Sequence, residues 1–168
     1  LPSSTVKEII MQVTSGVAVL HSYGIVHRDL KLENILMDYL DMQTFTAKII
    51  DFGLSQVITP LSKTKETYGT LIYCSPEILL NVPYNYKVDV WSLGVILFKM
   101  IQGVFPFEGK NDAEITKKIL NFPIQFNKKI KMTNQCKELI KGLLEKTISF
   151  RLNMDAKEFN NWFDLDNP

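Results

Sequence analysis

The sequence places an aspartate five residues before an asparagine, introduced by His-Arg, in His27-Arg28-Asp29-Leu30-Lys31-Leu32-Glu33-Asn34. These residue types suit one kind of chemistry. A carboxylate can take or orient the proton of a hydroxyl, a neighbouring ammonium can offset negative charge, and an amide oxygen is a hard donor for a small divalent cation. A second carboxylate follows in Asp51-Phe52-Gly53, 22 residues after Asp29, and Ser75-Pro76-Glu77 closes a 27-residue segment counted from Asp51. Singly, each would read as a solvated surface charge. Their order and spacing argue against that.

On these motifs the chain resembles a serine/threonine protein kinase, whose catalytic loop reads H-R-D-x-x-x-x-N. The resemblance covers residues 1–163 as the larger C-terminal lobe, with 164–168 as a tail. Tyr68-Gly69-Thr70, Tyr73-Cys74-Ser75-Pro76-Glu77 and Asp89-Val90-Trp91-Ser92-Leu93-Gly94 are similar to the calcium/calmodulin-dependent and AMP-activated group. Some positions depart from the family pattern. Thr147-Ile148 replaces the usual Asp-Pro, Ser75 the commoner Ala, and Asn160-Asn161 the His-Pro ahead of Trp162-Phe163. The implied fold is α+β overall and mainly α here, a kinase-like lobe with a short β-hairpin carrying the catalytic and Asp-Phe-Gly loops.

The resemblance implies a role for each residue. Asp29 would accept or orient the proton of a serine or threonine hydroxyl, and Lys31 would face the γ-phosphate of ATP. Asn34 and Asp51 would hold one or two Mg²⁺ ions, and Leu36 and Ile50 would line the nucleotide pocket. Thr70 would work with Lys31 around the acceptor hydroxyl, and Glu33, Thr70 and Leu71 would meet the protein substrate. Glu33 implies a basic residue near the phosphoacceptor. Arg28 marks kinases whose activation loop is ordered by an anion. Glu66 would partly replace a phosphate there, with Thr67 or Thr64 still open to phosphorylation. His27 and Phe52 would pack onto Asp89, and Glu77 would pair with Arg151 in the interior.

Periodicity supplies the elements that must position these residues. Thr5 and Glu8 can form a capping box ahead of Val6, Ile9, Ile10, Val13, Val17 and Leu20, which share one helical face up to Gly24. His21 near its end reads as structural. Ile35-Leu36-Met37 and Ala47-Lys48-Ile49-Ile50 predict two strands, joined by a connection from Asp38 to Thr46. Tyr39, Leu40, Met42 and Phe45 in that connection are expected on the surface. Gln56 to Tyr68 reads as a mobile loop. Asp89 to Gln102 is apolar on most faces and predicts a central helix stopped by Gly103. Further helices are expected after Asn111, from Asn134 to Lys146 with Cys136 packed inward, and from Asp155 to Phe163.

Composition narrows the setting. A net charge of +1 gives no case for nucleic acid or a membrane surface. The apolar run Val90 to Phe98 is half of what a bilayer needs. Two cysteines without ligand spacing suggest a reducing interior, cytoplasmic or nuclear. No Gly-x-Gly occurs among the eight glycines, so a phosphate-binding glycine loop is absent, and no strand lysine for the α/β-phosphates is found. With Leu1 in place of a start residue, this implies a fragment lacking the N-terminal lobe and any regulatory domains, inactive alone. A pseudokinase-like scaffold is the alternative reading. A small-molecule phosphotransferase is disfavoured by the substrate platform ending at Glu77.

Overall fold

The computed structural model describes residues 2–41, 44–58 and 69–163. The expectations for Met42, Thr64, Glu66 and Thr67 lie outside the described residues. The elements are α1 (Ser3–Ser22), β1 (Ile25–Val26), β2 (Ile35–Tyr39), β3 (Phe45–Ile49), β4 (Gln56–Val57), α2 (Pro76–Leu79), α3 (Lys87–Gln102), α4 (Asp112–Asn121), α5 (Asn134–Leu143) and α6 (Lys157–Phe163). Single 3-10 turns occupy Leu32–Asn34 and Leu71–Tyr73. The mainly helical character expected from the sequence is present.

The core is built around α3. Every residue from Val88 to Phe98 is buried, as a helix apolar on all faces requires. α1 and α5 pack on it, and α6 packs on α5. Gly94 makes the α3–α5 approach close, since a Cβ there would lie 2.8 Å from Leu143 Cβ and 3.0 Å from Leu144 Cγ. Gly94→Ala is expected to push the two helices apart and cost about 1–3 kcal/mol, measurable as a lower denaturation midpoint. An unchanged midpoint would show that α5 yields without cost.

α1 buries Val6, Ile9, Ile10, Val13 and Val17, the face expected from periodicity. Its start differs from expectation. No capping box forms, because the helix begins at Ser3 with Pro2 at the N-cap and no side-chain cap. Proline's fixed φ and missing N–H suit that position, and its carbonyl accepts the Val6 N–H at 3.1 Å. Thr5 therefore already sits inside the first turn. At the other end Gly24 takes φ 71°, the left-handed conformation a helix stop favours.

Elsewhere the caps follow the sequence more closely. Asn111 Oδ1 accepts Glu114 N–H at 2.9 Å to start α4. Thr133 Oγ1 accepts Cys136 N–H at 3.1 Å to start α5. α5 stops at Leu143, short of Lys146, and the Gly142 carbonyl accepts the returning Leu152 N–H at 3.1 Å.

β2 and β3 pair antiparallel, from Ile35 opposite Ile49 to Tyr39 opposite Phe45. The strands are longer than predicted, and Phe45 is buried where a surface position was expected. The cause is Gln12 of α1, which accepts Ala47 N–H at 2.7 Å and donates to the Phe45 carbonyl at 3.4 Å. That grip draws the far end of the hairpin into the core, while Tyr39 and Leu40 stay exposed. A second pair, β1 with β4, joins Ile25 to Val57 and Val26 to Gln56, so the predicted mobile loop starts with a strand. Two-residue strands carry no readable alternation.

Candidate active site

The loop from His27 to Asn34 is held from below by one carboxylate. Asp89, in the first turn of α3, is fully buried. Its Oδ2 accepts His27 N–H and its Oδ1 accepts Arg28 N–H, both at 2.9 Å. Two backbone donors on adjacent residues fix both position and tilt of the loop, and charge-assisted bonds of this kind are the stronger sort. His21 at the end of α1 donates from Nε2 to Asp89 Oδ2 at 2.9 Å. The histidine read as structural is thus a third support of the same carboxylate, a link that sequence reasoning missed.

His27 ties this loop to the Asp-Phe-Gly loop. Its Nδ1 accepts Asp29 N–H at 3.3 Å, so Nε2 carries the proton and donates to the Ile50 carbonyl at 3.1 Å. The buried ring meets Phe52 edge-on, with centroids 5.2 Å apart. Arg28 and Asp51 both adopt left-handed backbone, at φ 68° and 63°. Such conformations persist only where surrounding contacts determine them, and they cluster at functional sites.

Asp29 is the hub above this base. Lys31 Nζ lies 2.6 Å from its Oδ2, and Thr70 N–H donates to Oδ1 at 3.2 Å. Thr70 Oγ1 is 3.4 Å from the same Oδ1 and 3.2 Å from Lys31 Nζ. Lys31 is pushed above its ordinary pKa first by its hydrogen bond to Asp29, so it keeps its charge at neutral pH. Gly69 brings Thr70 in, with φ 99° and only 2.9 Å between the Arg28 carbonyl and the place a Cβ would take. A side chain there would be both strained and obstructed.

Asn34 is buried and donates from Nδ2 to the Asp29 carbonyl at 2.8 Å and to Asp29 Oδ2 at 3.2 Å. With the amide nitrogen so engaged, Oδ1 is the atom that can serve a metal. The Asn34 carbonyl accepts Ile50 N–H at 2.9 Å, which brings this residue beside the one preceding Asp51. Asp51 itself is exposed. One carboxylate and one amide oxygen suit Mg²⁺, which takes few protein ligands and completes its shell with water and phosphate. Among the described residues no group of three or more His, Cys, Asp or Glu side chains could hold a metal. Leu36 and Ile50, expected against a nucleotide, are 50% and 38% exposed, and Phe52 is also exposed.

The positions expected to meet a substrate form a shelf beside the hub. Glu33 is exposed, and Tyr73 OH donates to its Oε2 at 3.4 Å. Burial, and then the charge of Glu33, push the Tyr73 phenol up to about 12, so it stays a donor. Tyr73 figured in the sequence only as part of a family motif, and neither its bond to Glu33 nor its edge-on contact with Phe105 was anticipated. Leu71 follows Thr70 in a 3-10 turn and is partly buried. Arg28 donates through Nε to the Leu54 carbonyl and through a terminal nitrogen to Gln56 Oε1 at 2.8 Å and Tyr84 OH at 3.3 Å.

Glu77 and Arg151 meet as expected, 74 positions apart, in a two-pronged pair with N–O distances of 2.6 and 2.9 Å. Arg151 also donates to the carbonyls of Glu145 and Lys87 at 2.8 and 2.9 Å and lies over the Trp91 ring. This fastens α2, and so the end of the substrate shelf, to the segment after α5. Arg151→Met is expected to cost about 3–5 kcal/mol, because the buried Glu77 carboxylate loses its partner. Adding Glu77→Leu should recover most of that in a denaturant titration. A double variant no more stable than the single one would mean that the carbonyl bonds of Arg151 matter more than the ion pair.

Comparison with known proteins agrees with the geometry. The family model described as "Protein kinase domain" matches residues 1–163. Calcium-dependent protein kinase 4 of Plasmodium berghei is 40% identical over 162 residues, covering 94% of this chain and 30% of that protein. A probable serine/threonine-protein kinase, MARK-A of Dictyostelium discoideum, is 43% identical over 147 residues, covering 86% of this chain and 13% of that protein. Human serine/threonine-protein kinase Sgk1 is 39% identical over 167 residues, covering 93% and 37% respectively. The chain thus spans well under half the length of these relatives, and their similar identities do not single out a subgroup. With the loop, its anchor and the substrate shelf arranged as above, the chain belongs to the protein kinase family.

Proposed function

We propose that the protein containing this chain transfers the γ-phosphate of ATP to serine or threonine hydroxyls of protein substrates. The observation that carries this is the Asp29 carboxylate, held between Lys31 Nζ at 2.6 Å and Thr70 N at 3.2 Å. A hydroxyl brought to that carboxylate hands over its proton as its oxygen bonds to the γ-phosphorus, and the bond from that phosphorus to the bridging oxygen breaks to release ADP. Positioning and charge stabilisation supply most of the catalysis in such a transfer. Lys31 offsets charge on the transferring group, and Thr70 orients the acceptor. Asn34 Oδ1 and the Asp51 carboxylate are the residues to hold Mg²⁺, which neutralises phosphate charge when bound. The three relatives named above are protein kinases, two of them serine/threonine kinases by name, which supports the acceptor class.

On the substrate side, the exposed Glu33 carboxylate favours a basic residue near the acceptor. On the regulatory side, Arg28 answers to an anion from the segment that holds Glu66 and Thr67. The 168 residues taken alone are proposed to be inactive, since neither a glycine-rich loop nor a strand lysine for the phosphates occurs in them. The test is a peptide-library phosphorylation assay with the native protein and Mg·ATP. Serine and threonine peptides with a nearby Arg or Lys should be labelled, and chelating the metal should abolish turnover. No transfer to any peptide or protein would overturn the reading. Transfer indifferent to basic residues would remove only the role of Glu33.

A further inference from the structure

The shelf beside Asp29 continues past Glu33 by way of two rings. Tyr73, whose OH donates to Glu33 Oε2 at 3.4 Å, meets the Phe105 ring edge-on with centroids 5.5 Å apart. Lys99 Nζ sits 4.4 Å from the centroid of that same Phe105 ring. The two steps place this ammonium within about 10 Å of the Tyr73 ring, the span of about three residues of extended chain at about 3.3 Å each. The shelf thus runs from an acidic end at Glu33 to a basic end at Lys99.

Lys99 stands in the last turn of α3 and is partly buried. Its Nζ donates to the Gly103 carbonyl at 2.9 Å, a bond that suits a cation at a helix C-terminus. Among the described residues that is the one hydrogen bond this ammonium makes, so the rest of its donors are open to a ligand. It also makes no ion pair among them. Glu108, the only carboxylate between Gly103 and Asn111, turns its Oε1 to the Phe105 N–H at 2.9 Å instead. Capping α3 accounts for the Gly103 bond. It does not account for a cation without a counter-charge, steadied over an aromatic face at the end of the shelf. A head held in place in this way loses little freedom on meeting a ligand.

We propose that Lys99 is a specificity-determining residue that selects an anionic side chain in the protein substrate, displaced along the peptide from the basic residue that meets Glu33. The carboxylate of Asp or Glu and the phosphate of a phosphorylated residue share this chemistry. The inference rests on the phosphotransfer reading above and refines it: the favoured substrate is bipolar, basic toward Glu33 and acidic toward Lys99. Two opposite charges on one shelf discriminate better than one, because a peptide laid in the wrong register brings like charges together.

The test uses serine peptides that each carry one Arg near the acceptor and one Asp moved outward residue by residue, assayed with the native protein and Mg·ATP. At one position Asp should raise kcat/KM about 3–10-fold over Ala, and rising salt should shrink that advantage. A larger gain from phosphoserine at that position would assign the site to a phosphorylated substrate, a larger gain from Asp to an acidic one. Lys99→Met, which keeps the stem over Phe105, should bring the Asp-to-Ala ratio to unity. Lys99→Arg should preserve the ratio, and Lys99→Glu should reverse it in favour of Lys. A lysine that only capped α3 would affect all peptides alike and leave the ratio where it was. Lys99→Met and the salt series on the native protein decide the matter even if Lys99→Glu does not fold. Anisotropy of the same peptides, fluorescein-labelled and without ATP, reads the preference with no phosphate transferred. Absence of turnover would therefore strike the phosphotransfer reading, whereas equal binding of Asp and Ala peptides at every position would overturn the role of Lys99. So would an Asp preference that survives Lys99→Met.

Discussion

Replacing Asp29 by asparagine in the native protein is expected to lower kcat about 10²–10⁴-fold, with a much smaller change in KM for the peptide. Asparagine keeps the shape and can still accept from Thr70 N–H, which now sits 3.2 Å from Oδ1. It cannot take a proton, and it leaves Lys31 without the carboxylate now 2.6 Å away. Because Asp29 and Lys31 stand at the mouth of the site and not in the core, the denaturation midpoint should move little. The split between a large loss in kcat and a nearly constant midpoint is the signature of a residue that touches the reacting atoms. A variant retaining most of its kcat would remove Asp29 from the chemistry.

Asp89→Ala should instead lower activity and stability together. The substitution deprives the His27 and Arg28 N–H groups of acceptors in a region where Asp89 and His27 are fully buried. Each stranded buried donor costs about 1–3 kcal/mol, and His21 Nε2 loses its partner as well. Thermal or denaturant unfolding would measure the loss. Any surviving folded protein should show a depressed kcat, since the catalytic loop would no longer be pinned to α3. Asp89→Asn should fall between, because one of its two terminal atoms becomes a donor facing a donor. If Asp89→Ala left both quantities unchanged, the loop would be positioned by the His27 contacts with Asp29 and Ile50 instead.

The legible part of this molecule was the part written in spacing. The catalytic loop and the Asp-Phe-Gly loop could be read because each is a short, ordered motif, whereas the Glu77–Arg151 pair, 74 positions apart, was implied only by the family resemblance. The long helices could be read because α1 and α5 repeat apolar residues at helical intervals. What escaped was structure created by contacts between distant positions. The hairpin is longer than its apolar runs suggest because Gln12 grips Phe45 and Ala47 from another element. β1 and β4 are too short to show a pattern, and α1 begins earlier because Pro2 sits well ahead of a helix. Tyr73 beneath Glu33, and His21 beside Asp89, became visible only with three-dimensional placement. No periodicity pairs an element's last turn with a carboxylate 68 positions later.

The Asp89 anchor also has a consequence for the order in which the chain can fold during synthesis. The bonds that fix the catalytic loop span 61 and 62 positions, and the Glu77–Arg151 pair spans 74. Contacts so far apart in sequence form late, after the local helices are made. As the chain leaves the ribosome, Asp29 is present long before Asp89 can hold its loop, and Glu77 waits longer still for Arg151. A nascent chain interrupted between residues 102 and 151 would contain Asp29 and the Asp89 anchor, yet the segment around Glu77 would remain unfastened. Pulse proteolysis of stalled nascent chains should therefore show the segment around Glu77 becoming protected only once Arg151 has emerged, in a step distinct from the protection of His27 and Arg28.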